Sequence, residues 1–260
     1  MLTAMVLGMT LAAVPVEDPK RDRKLVWHDE FEQAGAPNPD NWVPEVGKIR
    51  NNELQYYTDR RIENAYQNGG QLVIEAKKEN FQGSTVTSAS LTTRKAWTHV
   101  YIEVKAQVPA GKGTWPAIWM LGEGHRLAGD RRVGWPACGE IDIMEYVGFS
   151  PDKLHYNIHC QKYNHGAGRG KGIAIDAPGA ASQPHVWGLD WRRDRLDFYQ
   201  DGKKVFTFAN EHTGNAAWPY DKPAYLLLNL AIGGSWGGQK GVDDAIFPAK
   251  FKIDYVRVYQ

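Results

Sequence analysis

The stretch Gly139-Glu-Ile-Asp-Ile-Met-Glu-Tyr-Val-Gly148 places three carboxylates, Glu140, Asp142 and Glu145, within six positions of an otherwise apolar, strand-like run. Unpaired charge is costly to take out of water, so a half-buried strand carrying three acids needs a chemical reason. Side chains alternate across a strand, so Glu140 and Asp142 share a face while Glu145 would point the other way. A β-bulge near Ile143-Met144 restores the parity. All three acids then line one concave face and Ile141 turns to the core. With the bulge, Glu140 and Glu145 are effectively four strand positions apart, about 13 Å between Cα atoms at ~3.3 Å per residue. Two Glu side chains leaning inward leave roughly 5 Å between carboxyl groups, which suits retaining rather than inverting glycoside hydrolysis. On that geometry Glu140 is the nucleophile and Glu145 the general acid, then base. Asp142 shares a hydrogen bond with Glu140 and separates the pKa values of the two acids. A solvated acidic edge and a three-carboxylate metal site are the competing readings; the second lacks a histidine or further acid at ligand spacing nearby.

The rest of the chain reads as strands separated by Gly, Pro, Asn and Asp. Residues 99–108 (HVYIEVKAQV) alternate, with Val100, Ile102, Val104, Ala106 and Val108 on one face. Residues 71–78, 114–121, 185–192, 224–232 and 251–260 are further strands, and 195–208 a hairpin turning at Asp201-Gly202. No long segment has a 3.6-residue apolar period, so helix is expected to be scarce. About a dozen strands imply an all-β, two-sheet sandwich, with the first strand (25–31) pairing with the last. Loops at 32–53, 122–139 and 161–184 are long enough to carry function.

Composition bounds the partner. The chain has 260 residues, with 31 Lys plus Arg against 30 Asp plus Glu, so no net field favours nucleic acid or an anionic membrane. A neutral polymer is the natural partner, and 10 Trp and 12 Tyr are more than a core readily hides. Cys138 and Cys160 make no disulfide framework; they pair once or stay as buried thiols. Residues 1–14 form an apolar stretch ending in small residues, like the core of a secretory signal without its basic leader. The expectation is export, with residues 1–24 as signal remnant and arm and 25–260 as one catalytic domain; an arm lying on the domain is the alternative.

The acidic motif Glu140-Ile-Asp-Ile-Met-Glu145 resembles the bulged signature of glycoside hydrolase family 16. The flanking 134–148 is similar to the laminarinase branch, as are NNELQYYT (51–58), TWPAIWML (114–121), PHVWGLDW (184–191), LDFYQDGK (196–203), LLLNLAIGGSWGG (226–238) and IDYVRVYQ (253–260). The resemblance covers about residues 25–260. It implies a curved β-jelly roll with a substrate groove on its concave face. It also implies retaining endo-hydrolysis of β-1,3-glucan, with Glu140, Asp142 and Glu145 in the roles above. No cofactor is implied for catalysis. A structural calcium on the convex face would take the Asp254 side chain and the carbonyls of Glu30 and Gly70, hard oxygen ligands that suit that ion.

A neutral sugar offers C–H faces to aromatic rings and hydroxyl edges to amides, Arg and His. Trp115 and Trp119 share parity and are the expected platforms, with Trp135 walling the site and Trp236 capping one end. Asn52, Glu53 and Tyr57 lie in the block that resembles the family's donor-side wall, and Arg94 and His159 are hydroxyl-binding candidates. Gly233, Gly234, Gly237 and Gly238 would let backbone approach a sugar. Mixed-linkage glucan, agarose or carrageenan on the same fold, and a non-catalytic glucan-recognition module, are the alternatives. The protein is expected to be monomeric.

Overall fold

The structure is a computed structural model that describes residues 18–126 and 133–260. The stretch read as a signal remnant, 1–14, and part of the 122–139 loop lie outside those residues. Two sheets face each other. The smaller has seven antiparallel strands in the order Lys171–Asp176, Lys153–His159, Glu140–Glu145, Thr114–Gly122, Ala224–Ile232, Ser90–Trp97 and Trp42–Glu45. The larger has Tyr101–Gln107 and Ala249–Tyr259 at its centre. The first strand, Leu25–Asp29, pairs antiparallel with Ala249–Tyr259, as the sequence implies. Helix is confined to Gly234–Gly237 and three short 3-10 turns among the described residues.

Alternation explains the core. Val100, Ile102, Val104, Ala106 and Val108 are all buried between the sheets, and Ile118, Met120, Ile141 and Ile158 meet them from the other side. Burying each such aliphatic side chain contributes about 1.5–3 kcal/mol against leaving it exposed. The outward positions of that strand, Tyr101 and Glu103, are also buried, which alternation alone does not foresee. The 18–24 arm contributes to this cover. Lys20 Nζ lies 3.0 Å from Glu103 Oε2, and Arg23 Nη2 lies 2.5 Å from Asp190 Oδ1. Cys138 and Cys160 are free and buried thiols, and burial pushes the Cys138 thiol up to about 12.

Candidate active site

The acidic strand Glu140–Glu145 has its bulge where parity requires it. Against Thr114–Gly122 the register runs Glu145 to Ala117, Met144 to Ile118, then Asp142 to Trp119 and Glu140 to Leu121. Ile143 is left without an opposite number. Ile141, Ile143 and Met144 are buried in the core, while Glu140, Asp142 and Glu145 all line a cleft of about 730 Å³ on the other face.

The neighbouring strand completes the constellation. In Lys153–His159 the even positions Leu154, Tyr156 and Ile158 are buried in the core. The odd positions stand opposite the acids: His159 faces Glu140, Asn157 faces Asp142 and His155 faces Glu145. His159 Nε2 is 3.3 Å from Asp142 Oδ2 and 3.7 Å from Glu140 Oε1. Asn157 Nδ2 donates to Glu145 Oε2 at 2.9 Å, and Trp115 Nε1 donates to Glu145 Oε1 at 3.2 Å. Trp135 Nε1 donates to Glu140 Oε2 at 2.9 Å. The two glutamates therefore have separate sets of donors. Asp142, hydrogen-bonded to Glu140, sits between them.

Burial raises the pKa of all three acids, and their mutual repulsion adds to it for Glu140 and Asp142. The donors from Trp135 to Glu140, and from Asn157 and Trp115 to Glu145, act in the opposite direction by favouring the ionised forms. Three carboxylates that repel one another across one cleft wall cannot all carry charge cheaply, so protons are retained among them. A carboxyl whose folded pKa is raised contributes most to stability below its unfolded value, ~3.9 for Asp. That contribution is lost as pH rises through the folded value. At neutral pH the cluster therefore costs stability. Asp142→Asn, which keeps shape and can still hydrogen-bond Glu140, is expected to raise Tm at pH 7–8. Each ~1 kcal/mol relieved moves Tm by about 2–4 °C in a domain of this size, and the gain should shrink toward pH 4. Thermal unfolding across pH measures it; a lower Tm at pH 8 would contradict this electrostatic account.

The other expected residues divide. Trp115, Trp119, Trp135, Trp236, Glu53 and His159 line the cleft. Trp236 packs edge-on against Trp115 (5.5 Å) and His155 (4.7 Å). Tyr57 is fully buried and does not reach the cleft. It belongs to a relay in which Trp119 Nε1 donates to Asn229 Oδ1 (2.8 Å), Asn229 Nδ2 to the Tyr57 hydroxyl (3.1 Å) and that hydroxyl to Glu53 Oε2 (3.1 Å). Asn52 is exposed and outside the cleft, because the left-handed turn at Asn51 and Asn52 (φ 55 and 52) brings Asn51 to the wall instead. Arg94 points elsewhere, its Nε donating to the Pro39 carbonyl at 2.6 Å. The positive φ of Gly233 and Gly234 serves packing: a Cβ on Gly234 would lie 2.9 Å from the Asn51 carbonyl, and one on Gly233 2.9 Å from Leu54.

The metal expectations also change. The sequence shows no histidine near the acids, but the fold brings His159 across, and Glu140, Asp142 and His159 offer ligand atoms within 4.8 Å of one another. At the expected calcium position Asp254 Oδ1 accepts from Gln71 Nε2 (2.7 Å) and Oδ2 pairs with Lys105 Nζ (2.8 Å). A calcium ion held by the Asp254 side chain with the carbonyls of Glu30 and Gly70 would have to displace the Lys105 ammonium from Asp254.

Arg50, Asn51, His155, Asn157, His165 and Asn229 also line the cleft without having been singled out. Asn229, a lone polar side chain in the buried run 224–232, and the alternating polar positions of HYNIH (155–159) were visible signals. His165, whose ring is 5.2 Å from Trp135 and 5.0 Å from His159, comes from the 161–184 loop.

Comparison with known proteins agrees with this geometry. Residues 52–257 match the model for glycosyl hydrolases family 16. A β-glucanase from Rhodothermus marinus is 42% identical over 100% of this chain and 93% of its own. The X-ray structure of the laminarinase from Rhodothermus marinus is similar with a TM-score of 0.86 and 44% identity, covering 92% of this chain and 97% of that one. A variant of SCLam, a non-specific endo-β-1,3(4)-glucanase co-crystallised with 1,3-β-D-cellotriosyl-glucose, also gives a TM-score of 0.86 at 44% identity, covering 92% and 95%.

Proposed function

This chain belongs to glycosyl hydrolases family 16 and is a glycoside hydrolase, and from that premise we propose that it cuts β-1,3-glucan internally with retention of configuration. The observation that carries the proposal is the bulge that sets Glu140, Asp142 and Glu145 on one cleft wall with separate partners for the two glutamates. The Glu140 carboxylate attacks the anomeric carbon and forms a glycosyl ester, while Glu145 gives its proton to the departing sugar oxygen. Water then attacks the same carbon, Glu145 takes its proton, and Glu140 leaves as carboxylate. Asp142 and Trp135 hold Glu140 in the attacking orientation, and Asn157 and Trp115 orient Glu145.

Proton NMR during early hydrolysis of laminarin tests the stereochemistry: the β anomer should appear first, and initial α-anomer release would overturn the assignment. A reducing-end assay across laminarin, lichenan, curdlan, agarose and carrageenan tests the substrate. The cleft's own charges favour a neutral chain, since Glu45, Glu53 and the three acids outnumber Arg50 there. Mixed-linkage glucan is the second reading, favoured by the similarity to a non-specific endo-β-1,3(4)-glucanase.

Export and action as a monomer form part of the same proposal, because a polymer too large to enter a cell must be cut outside it; activity in culture medium and size-exclusion chromatography check the two points. Metal chemistry is not part of it. EDTA is expected to leave both kcat and Tm unchanged, because Lys105 already neutralises Asp254. A fall in Tm of several degrees on chelation, reversed by calcium, would show that Lys105 yields its place to a cation.

A further inference from the structure

We propose that Arg50 is a substrate-positioning residue, held on the face of Trp119 so that its free N–H groups bond the hydroxyls of a glucosyl unit beside the scissile bond. The inference rests on the glycosidase reading above. Glu140 and Glu145 are strung along one strand and must lie on opposite faces of the reacting sugar. The polymer therefore crosses the strands. On one side of the acids it passes over the strands Thr114–Gly122 and Ala224–Ile232, and this half of the cleft contains Arg50, Trp119 and Asn229.

Arg50 is well prepared for such a contact. Its guanidinium carbon lies 4.9 Å from the Trp119 ring centroid, a cation–π distance. Nη2 donates to Glu45 Oε2, and Glu45 is buried, with the same oxygen also accepting from Ser90 Oγ at 2.6 Å. Trp119 is itself fixed by Asn229. A guanidinium has five N–H donors, and among the described residues Glu45 is the only hydrogen-bond partner of this one. The side chain keeps 20% exposure, directed into the cleft. A planar fork stiffened by an ion pair and an indole loses little entropy on meeting a pair of sugar oxygens. Trp119 then acts mainly as the support of Arg50 rather than as a bare platform.

The competing account is that Arg50 only neutralises Glu45. Two variants separate the accounts. Arg50→Lys keeps the charge beside Glu45 but removes the fork. The double variant Glu45→Gln with Arg50→Met removes both charges together, leaving no buried carboxylate unpaired. Both are assayed for kcat and KM on laminarin, with circular dichroism to confirm folding. Laminari-oligosaccharide affinity is measured by calorimetry for Arg50→Lys in a Glu140→Gln background. The expected result is a loss in kcat/KM of about tenfold or more in both variants, the size of a hydrogen bond to a charged group. It should be carried mainly by KM, with a parallel loss of oligosaccharide affinity. Wild-type kcat/KM and affinity in Arg50→Lys, or full recovery in the double variant, would overturn the role of Arg50 alone. Absence of turnover by the wild-type enzyme on every glucan would instead overturn the glycosidase reading.

Discussion

Glu140→Gln is expected to abolish measurable turnover of laminarin, a loss on the order of 10⁴-fold or more, while laminari-oligosaccharides still bind. Losses of this size follow when the group that forms the covalent intermediate is removed, because no other side chain can make that bond. The amide is isosteric and can still accept from Trp135 Nε1, which donates to Glu140 Oε2 at 2.9 Å. The cleft should therefore keep its shape. Burial raises the Glu140 pKa, so the charged form costs stability at neutral pH, and the variant should melt no lower than the wild type. Steady-state assays, calorimetry with oligosaccharide and a melting curve read the three quantities separately. Retention of more than about 1% of wild-type kcat in a folded variant would remove Glu140 from the nucleophile's role.

Glu145→Gln is expected to lose about 10²–10⁴ in kcat on laminarin, the usual contribution of a positioned acid and base. The loss should depend on the leaving group. A sugar hydroxyl is a poor leaving group and needs the Glu145 proton, whereas a nitrophenolate departs without it. Formation of the glycosyl ester from a nitrophenyl laminaribioside should thus be nearly normal, and breakdown of that ester should become slow because no base activates water. A pre-steady-state burst of nitrophenol followed by a slow steady rate is the signature. Equal losses on both substrates with no burst would mean that Glu145 positions the substrate and does not move the proton. The bonds from Asn157 Nδ2 and Trp115 Nε1 hold the carboxyl in place and restrain its upward pKa shift.

Much of this site could be read before the fold was in view, and the reason is parity. A spacing of five between two acids that must share a face demands an inserted residue, and the register slips where that residue is needed. Strict alternation in 99–108 named the core face of a central strand correctly. The misses have a common cause. His155 and Asn157 lie on alternating polar positions, yet which acid each one meets depends on the register between two strands. Tyr57 and Asn52 fall in a motif-like block, but Asn52 is turned outward by the left-handed turn at Asn51 and Asn52, and the Tyr57 hydroxyl is held inside by Asn229 and Glu53. Arg50, one residue before that block, has no local mark that separates it from a surface arginine.

Strand alternation, the kinked acidic segment and the chemistry of its carboxyl groups are local properties. They are written in residue order because a pleated backbone sends neighbouring side chains to opposite faces. The pairing of Glu45 with Arg50, of Arg50 with Trp119, of Asn157 with Glu145 and of Lys105 with Asp254 arose from folding. Most of these contacts join positions far apart along the chain, and all of them depend on strand register, loop path and competition for each charge, which no short window of sequence contains.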